Sequence, residues 1–167
     1  MILIQIIGGV GFGVLILATQ VRRRRTFLIA DFAGLVPVVA HYVMMDAYAG
    51  AAMSGLYMLV DLCAVLIADR PVLLRRAFWG FHGLAIALVA VTFAGWIDLL
   101  ALFGTIAAVA SRQQKYMRPL LGLIVVSCVG WGLYGLLVGS VAQVVFSVTY
   151  AAFSLLGIFR QQRPTHP

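Results

Sequence analysis

The sequence predicts an all-α polytopic membrane protein: seven transmembrane helices, arranged as two parallel three-helix repeats joined by a linker helix. Three observations carry that expectation. Of the 167 residues, 63% are hydrophobic and 10% charged, and the mean hydropathy is +1.07, which leaves too few polar side chains to cover a water-facing surface. Apolar runs recur at close to the ~20 helical residues needed to cross ~30 Å of hydrocarbon. The 12 Lys and Arg residues all fall in alternate breaks between those runs, the pattern of the positive-inside rule.

The first span runs from Ile2 to Val21. Apolar sequence begins directly after Met1 and the arginines follow it, the reverse of a cleavable signal, so the segment is expected to stay. Gly8, Gly9, Gly11 and Gly13 favour close helix packing. Arg22 to Arg25 form the first break, and the second span, Thr26 to Met45, carries Asp31, Pro37 and His41. Pro37 frees the carbonyl of Ala33 from its helical bond. The turn Asp46-Ala47-Tyr48 leads into the third span, Tyr48 to Ala68. A basic break from Asp69 to Arg76 precedes the fourth span, Ala77 to Ala94.

Gly95 to Asp98 separate it from a short fifth span, Ile97 to Ser111, which ends at the basic break Arg112 to Arg118. The sixth span, Arg118 to Val138, carries Gly130, Gly132 and Gly135, and the turn Gly139-Ser140 opens the seventh, Ser140 to Phe159. An odd number of crossings with basic breaks on one side puts the amino end outside and the carboxyl end in the cytoplasm. Tyr42, Tyr48, Trp79, Trp96 and Tyr116 lie near breaks, as an interfacial aromatic belt requires.

Sliding the chain against itself by 93 positions pairs Ile4–Pro71 with Ile97–Pro164 without a gap, and 12 of the 68 pairs are identical. The matches include Gly11 with Gly104, Gln20 with Gln113, Arg25 with Arg118, Ser54 with Ser147, Tyr57 with Tyr150, Arg70 with Arg163 and Pro71 with Pro164. Each repeat holds three spans. One extra crossing between them restores the orientation, so the triplets run parallel about an axis along the membrane normal. The expected units are 1–71 and 97–164 as the repeats, 72–96 as the linker helix and 165–167 as a tail.

The plan of triplet, linker and triplet with the amino end outside resembles the SWEET and PQ-loop transporters. The run His41-Tyr42-Val43-Met44-Met45-Asp46-Ala47-Tyr48 with Met53-Ser54, and Phe103-Gly104-Thr105 with Leu137-Val138-Gly139-Ser140, resembles YgjV-type bacterial inner-membrane proteins over nearly the whole chain. The SWEET-like pattern has a Pro-Gln pair in the first helix of each triplet and asparagines in the third helices. Here neither first helix contains proline, and the chain has no Asn.

Charge inside hydrocarbon costs about 2.5–3.5 kcal/mol for Asp at a helix centre, so Asp31 and Asp61 need a reason to be there. Ser54, Tyr57 and Asp61 fall on one helical face, and the equivalent stripe of the second repeat is Ser147, Tyr150 and Ser154. These six are the expected solute-binding residues, brought together at the repeat interface, where transporters of this kind bind. Asp31, close in sequence to Arg22–Arg25, is expected to snorkel or pair with arginine. His41 and Asp31 are the expected gating or proton-sensitive residues.

Other classes have little support. The basic residues, which give a net charge of +7, lie in short clusters between apolar runs and form no nucleic-acid-binding face. Cys63 and Cys128 lie inside apolar runs and read as packing residues. Three dispersed histidines make no metal site. No nucleophile has a base at hand, so neither enzyme activity nor a cofactor is expected. The partners are a lipid bilayer and a small polar solute, and the sequence neither demands nor forbids a homo-oligomer. The leading expectation is a small permease that alternates access between the two triplets; the other is a scaffold or partner subunit whose polar stripes only hold helices together.

Overall fold

A computed structural model describes residues 2–21 and 23–160. Arg22, the aligned pair members Arg163 and Pro164, and the tail 165–167 lie outside the described residues. The chain forms α1 (Ile2–Ala18), α2 (Arg24–Met44), α3 (Tyr48–Leu66), α4 (Pro71–Thr92), α5 (Asp98–Arg112), α6 (Met117–Leu137) and α7 (Val141–Arg160). Five of them, α2, α3, α4, α6 and α7, are long and apolar enough to cross a membrane. α1 is apolar but has 17 residues. α5 has 15, a rise of about 22 Å.

Two boundaries differ from the sequence reading for local reasons. α1 stops at Ala18 rather than Val21, and the Thr19 hydroxyl donates to the Ile16 carbonyl at 2.7 Å, capturing an acceptor of the last turn. α4 starts at Pro71 rather than Ala77. Proline at the first helical position loses no helical hydrogen bond and has its φ preset, so the helix runs through Arg75 and Arg76, two residues expected in a break.

The helices pack in a pattern that survives exchanging α1, α2, α3 with α5, α6, α7. α2 lies between α1 and α3, and α6 between α5 and α7; across the middle, α1 packs on α7 and α5 on α3. α4 packs on α3 and α5. It buries Phe78, Ala85 and Val89 and leaves Trp79, Ile86 and Val91 exposed, an apolar outer face suited to lipid.

Glycine lets two pairs of helices cross with their backbones in contact. A Cβ on Gly11 would stand 2.7 Å from the Gly34 carbonyl oxygen, and one on Gly130 would stand 2.7 Å from the Gly104 amide nitrogen, so α1 meets α2 and α5 meets α6 backbone to backbone. Gly11 and Gly104 are equivalents at the 93-residue offset. The two positive-φ residues among those described, Asp46 (56°) and Gly139 (75°), are equivalents too, each closing the turn between the second and third helices of its half. Asp tolerates the left-handed region better than most residues with a Cβ.

Hydrogen bonds fix which ends lie together. Arg24 Nε donates to the Gln114 carbonyl at 3.2 Å and Arg24 Nη2 to the Arg112 carbonyl at 2.5 Å, while Arg160 reaches Gln20 at 3.0 Å. The loops after α1 and α5 and the end of α7 therefore form one arginine-rich end. The opposite end holds the close of α2, the start of α3 and the α6–α7 turn.

Candidate functional site

Three charged side chains from three helices meet inside the bundle. Asp31 of α2, Asp61 of α3 and Arg112 of α5 are 1%, 0% and 4% exposed. Arg112 Nε donates to Asp61 Oδ1 at 3.0 Å, Nη2 donates to Asp31 Oδ2, and Nη1 donates to the Ser111 hydroxyl at 2.8 Å. One guanidinium therefore holds two carboxylates with separate N–H groups of its fixed fork. Its charge also lies 5.7 Å from the ring centroids of Phe27 and Tyr57, within cation–π range.

The remaining oxygens differ. Asp31 Oδ1 accepts from the Tyr150 hydroxyl at 3.1 Å, so both of its oxygens are paired. Asp61 Oδ2 is buried without a hydrogen-bond partner among the described residues.

Next to this cluster lies a cavity of about 50 Å³, room for a few waters or a solute of a few heavy atoms. Asp31, Arg112, Ser54, Tyr57, Ser147 and Tyr150, with Ser127 and Gln143, supply its polar wall, and Phe12, Phe146, Trp131 and Cys128 are among its apolar lining. The wall is braced. Trp131 Nε1 donates to the Tyr57 hydroxyl at 2.9 Å, and Tyr57 donates onward to the Gly104 carbonyl at 2.9 Å, which also accepts from Ser127 at 2.8 Å.

A second polar cluster closes the opposite end. His41 is fully buried, with Nδ1 2.9 Å from the Ile4 carbonyl and Nε2 3.1 Å from the Ser140 hydroxyl. A carbonyl only accepts, so Nδ1 carries the proton, and in a neutral ring Nε2 accepts from Ser140. Tyr42 donates to Gln143 Oε1 at 2.5 Å, Gln143 Nε2 donates to Ser147 at 2.8 Å, and the Gly50 amide donates to the Tyr134 hydroxyl at 3.2 Å. The bonds from His41 to Ser140, from Tyr42 to Gln143 and from Gly50 to Tyr134 each join the first three helices to the last three.

The sequence itself falls in a recognisable group. The model of the Imp-YgjV family, described as bacterial inner membrane protein, matches residues 2–165. The chain belongs to the YgjV family of bacterial inner membrane proteins. No curated protein and no solved structure matches the chain.

Of the residues the sequence singles out in this YgjV-family chain, Ser54, Tyr57, Ser147, Tyr150 and Asp31 line the cavity. Asp61 and Ser154 are buried one turn further toward the arginine-rich end; Asp61 is bonded to Arg112, and the Ser154 hydroxyl has no partner among the described residues. His41 lies in the opposite cluster. Among the described residues Asp31 does pair with arginine, but with Arg112 rather than with Arg23, Arg24 or Arg25, because the Arg112 side chain at the end of α5, which packs on α3, reaches across to α2.

Arg112 falls in a water-exposed break by sequence and is buried in the structure. The available signal is that it follows Ser111 with no turn residue between, while two carboxylates in apolar runs lack a counter-charge. Trp131, Ser127 and Gln143 also escape the sequence reading, although a lone amide in an apolar run such as Gln143 marks an interior contact. The halves carry the charge unequally: at the repeat offset, Asp31 aligns with Ile124, Asp61 with Ser154 and Arg112 with Thr19.

Proposed function

We propose that this protein is a small SWEET-like permease for a small polar solute, with the central cavity as its binding site and two three-helix units rocking about it. The observation that carries the reading is the cavity itself: it lies between helices of both units, and a Ser–Tyr pair from each, Ser54 with Tyr57 and Ser147 with Tyr150, lines it. Transporters built from repeats bind at such a midplane interface.

In this reading all seven helices cross the membrane, α4 is the linker, and the arginine-rich end faces the cytoplasm with the amino end outside. Support comes from the exchange-symmetric packing, the matched left-handed turns and the basic residues at one end. The bonds at both ends of the cavity would serve as alternating closures, each linking one unit to the other.

The test is solute-dependent thermal stabilisation and counterflow in liposomes across a panel of small polar solutes. Tyr57→Phe removes one hydroxyl from the wall and should weaken the active solute up to about tenfold, the worth of one hydrogen bond, while insertion and folding persist. No stabilisation and no flux across the panel would sink the proposal.

One observation favours a second reading, a non-transporting scaffold or partner subunit. Most polar groups around the cavity are already bonded to one another, as helices glued by polar contacts require. That reading expects no solute effect at all.

A further inference from the structure

We propose that Asp61 is a proton-binding site, and that the Asp31–Arg112–Asp61 cluster holds one proton at neutral pH, bonded to Asp61 Oδ2. The case rests on charge and on one oxygen atom. Two carboxylates and one guanidinium sum to one surplus negative charge, all within a region 4% exposed or less. An uncompensated ionised carboxylate in such surroundings is so costly that it neutralises instead. The surplus falls on Asp61 because both Asp31 oxygens are engaged, by Arg112 and Tyr150, whereas Asp61 uses only Oδ1. Asp61 Oδ2 is fully buried, has no partner among the described residues, and belongs to a residue outside the cavity lining. A proton fits there; a solvated cation does not.

The neighbouring groups leave that balance standing. On α2, Arg24 is near enough to act on the charges of Asp61 and Arg112, but it is half-buried at the arginine-rich end, where water screens it, and it directs its donors to the main-chain carbonyls of Arg112 and Gln114. Tyr57 on α3, Cys128 on α6 and Tyr150 on α7 are uncharged acids in their ordinary form. α1 carries no ionisable side chain. α4, packed on α3, carries Arg75 and Arg76, both exposed, and His82, whose Nδ1 is bonded to the Phe78 carbonyl. Among the described residues, Asp61 makes its ion pair with Arg112 alone. The proton comes from water at the arginine-rich end, one O–H bond forms, and nothing else is made or broken. Within the permease reading, and resting on it, movement of the solute would then be linked to a proton.

Infrared difference spectroscopy of the purified full-length protein tests the site without any solute. The wild type at neutral pH should show the carbonyl stretch of one neutral, water-excluded carboxylic acid, shifted in heavy water. Asp61→Asn should abolish it. Asp31→Asn should abolish it too, because Asp61 then meets Arg112 one to one and ionises. Asp46→Asn and Asp69→Asn should leave it intact. The absence of the band in wild type, or its persistence in Asp61→Asn, would overturn the proposal, as would a missing band with stabilisation by sodium or methylammonium, which would assign the surplus charge to a cation. The wild-type spectrum decides even if a variant fails to fold. A protein with the band but no flux keeps the proton site and loses the permease; flux without the band does the reverse.

Discussion

Arg112 is the single residue on which the interior charge depends. Its removal leaves Asp31 buried with no counter-charge and Asp61 Oδ1 without its donor, and breaking a buried pair in this way typically costs about 3–5 kcal/mol. Arg112→Ala should therefore lose most of its folded yield and unfold at much lower temperature in detergent. The triple variant Asp31→Asn, Asp61→Asn, Arg112→Gln has no charge to bury and should recover most of that loss, since replacing a whole buried ionic group is often neutral. If the triple variant unfolded as readily as Arg112→Ala, charge would not be the cause. At this scale the sequence is half legible. Asp31 and Asp61 stand out because a carboxylate in an apolar run has no cheap explanation. Arg112 does not, because a basic residue at the edge of a run looks like every other boundary arginine, and its depth depends on how a short helix sits between two longer ones.

Among the elements, the α1–α2 and α5–α6 crossings are where a single methyl group should matter. Gly11→Ala would push a Cβ to 2.7 Å from the Gly34 carbonyl oxygen, and Gly104→Ala to 2.6 Å from the Trp131 ring. Backbone cannot step aside as a flexible side chain can, so Gly11→Ala is expected to cost about 1–3 kcal/mol, as overpacking does. Gly9 and Gly13 have open space where a methyl would stand, with nothing within 4 Å, and alanine there should be neutral or mildly stabilising. Thermal unfolding of the four variants side by side checks this, and equal effects at Gly11 and Gly13 would count against the close crossing. The glycine clusters are visible in the sequence, but which glycine faces the partner helix is not, since one cluster presents several faces. The start of α4 is hidden for a related reason: three arginines near Pro71 suggest a loop, whereas proline at the first helical position is compatible with a helix beginning there.

For the whole molecule, the arrangement of charge at one end predicts a labelling pattern. Single cysteines placed at Arg25, Arg76 and Arg118, in a background without Cys63 and Cys128, should react with an impermeant maleimide only from the cytoplasmic side. Cysteines at Asp46 and Trp96 should react only from the other. Reaction of the Arg25 and Arg118 positions from opposite sides would end both the topology and the parallel-repeat reading. The alternation of charge and the self-match at a 93-residue offset are legible because charge at breaks and identities such as Gly11 with Gly104 survive in a linear string. The cross-pairing of α1 with α7 and α3 with α5, which creates the cavity, is not, because apolar faces of similar composition do not name their partners.

The unequal sharing of charge between the halves makes them an obligate unlike pair. Two copies of the amino-terminal unit would press four acids together with no fully buried base, and two copies of the carboxyl-terminal unit would bury two guanidinium groups with no carboxylate to receive them. Only the mixed union is close to electrically tolerable. The present side chains disfavour either half closing on a second copy of itself, and the polypeptide that tethers them enforces a match that electrostatics already selects.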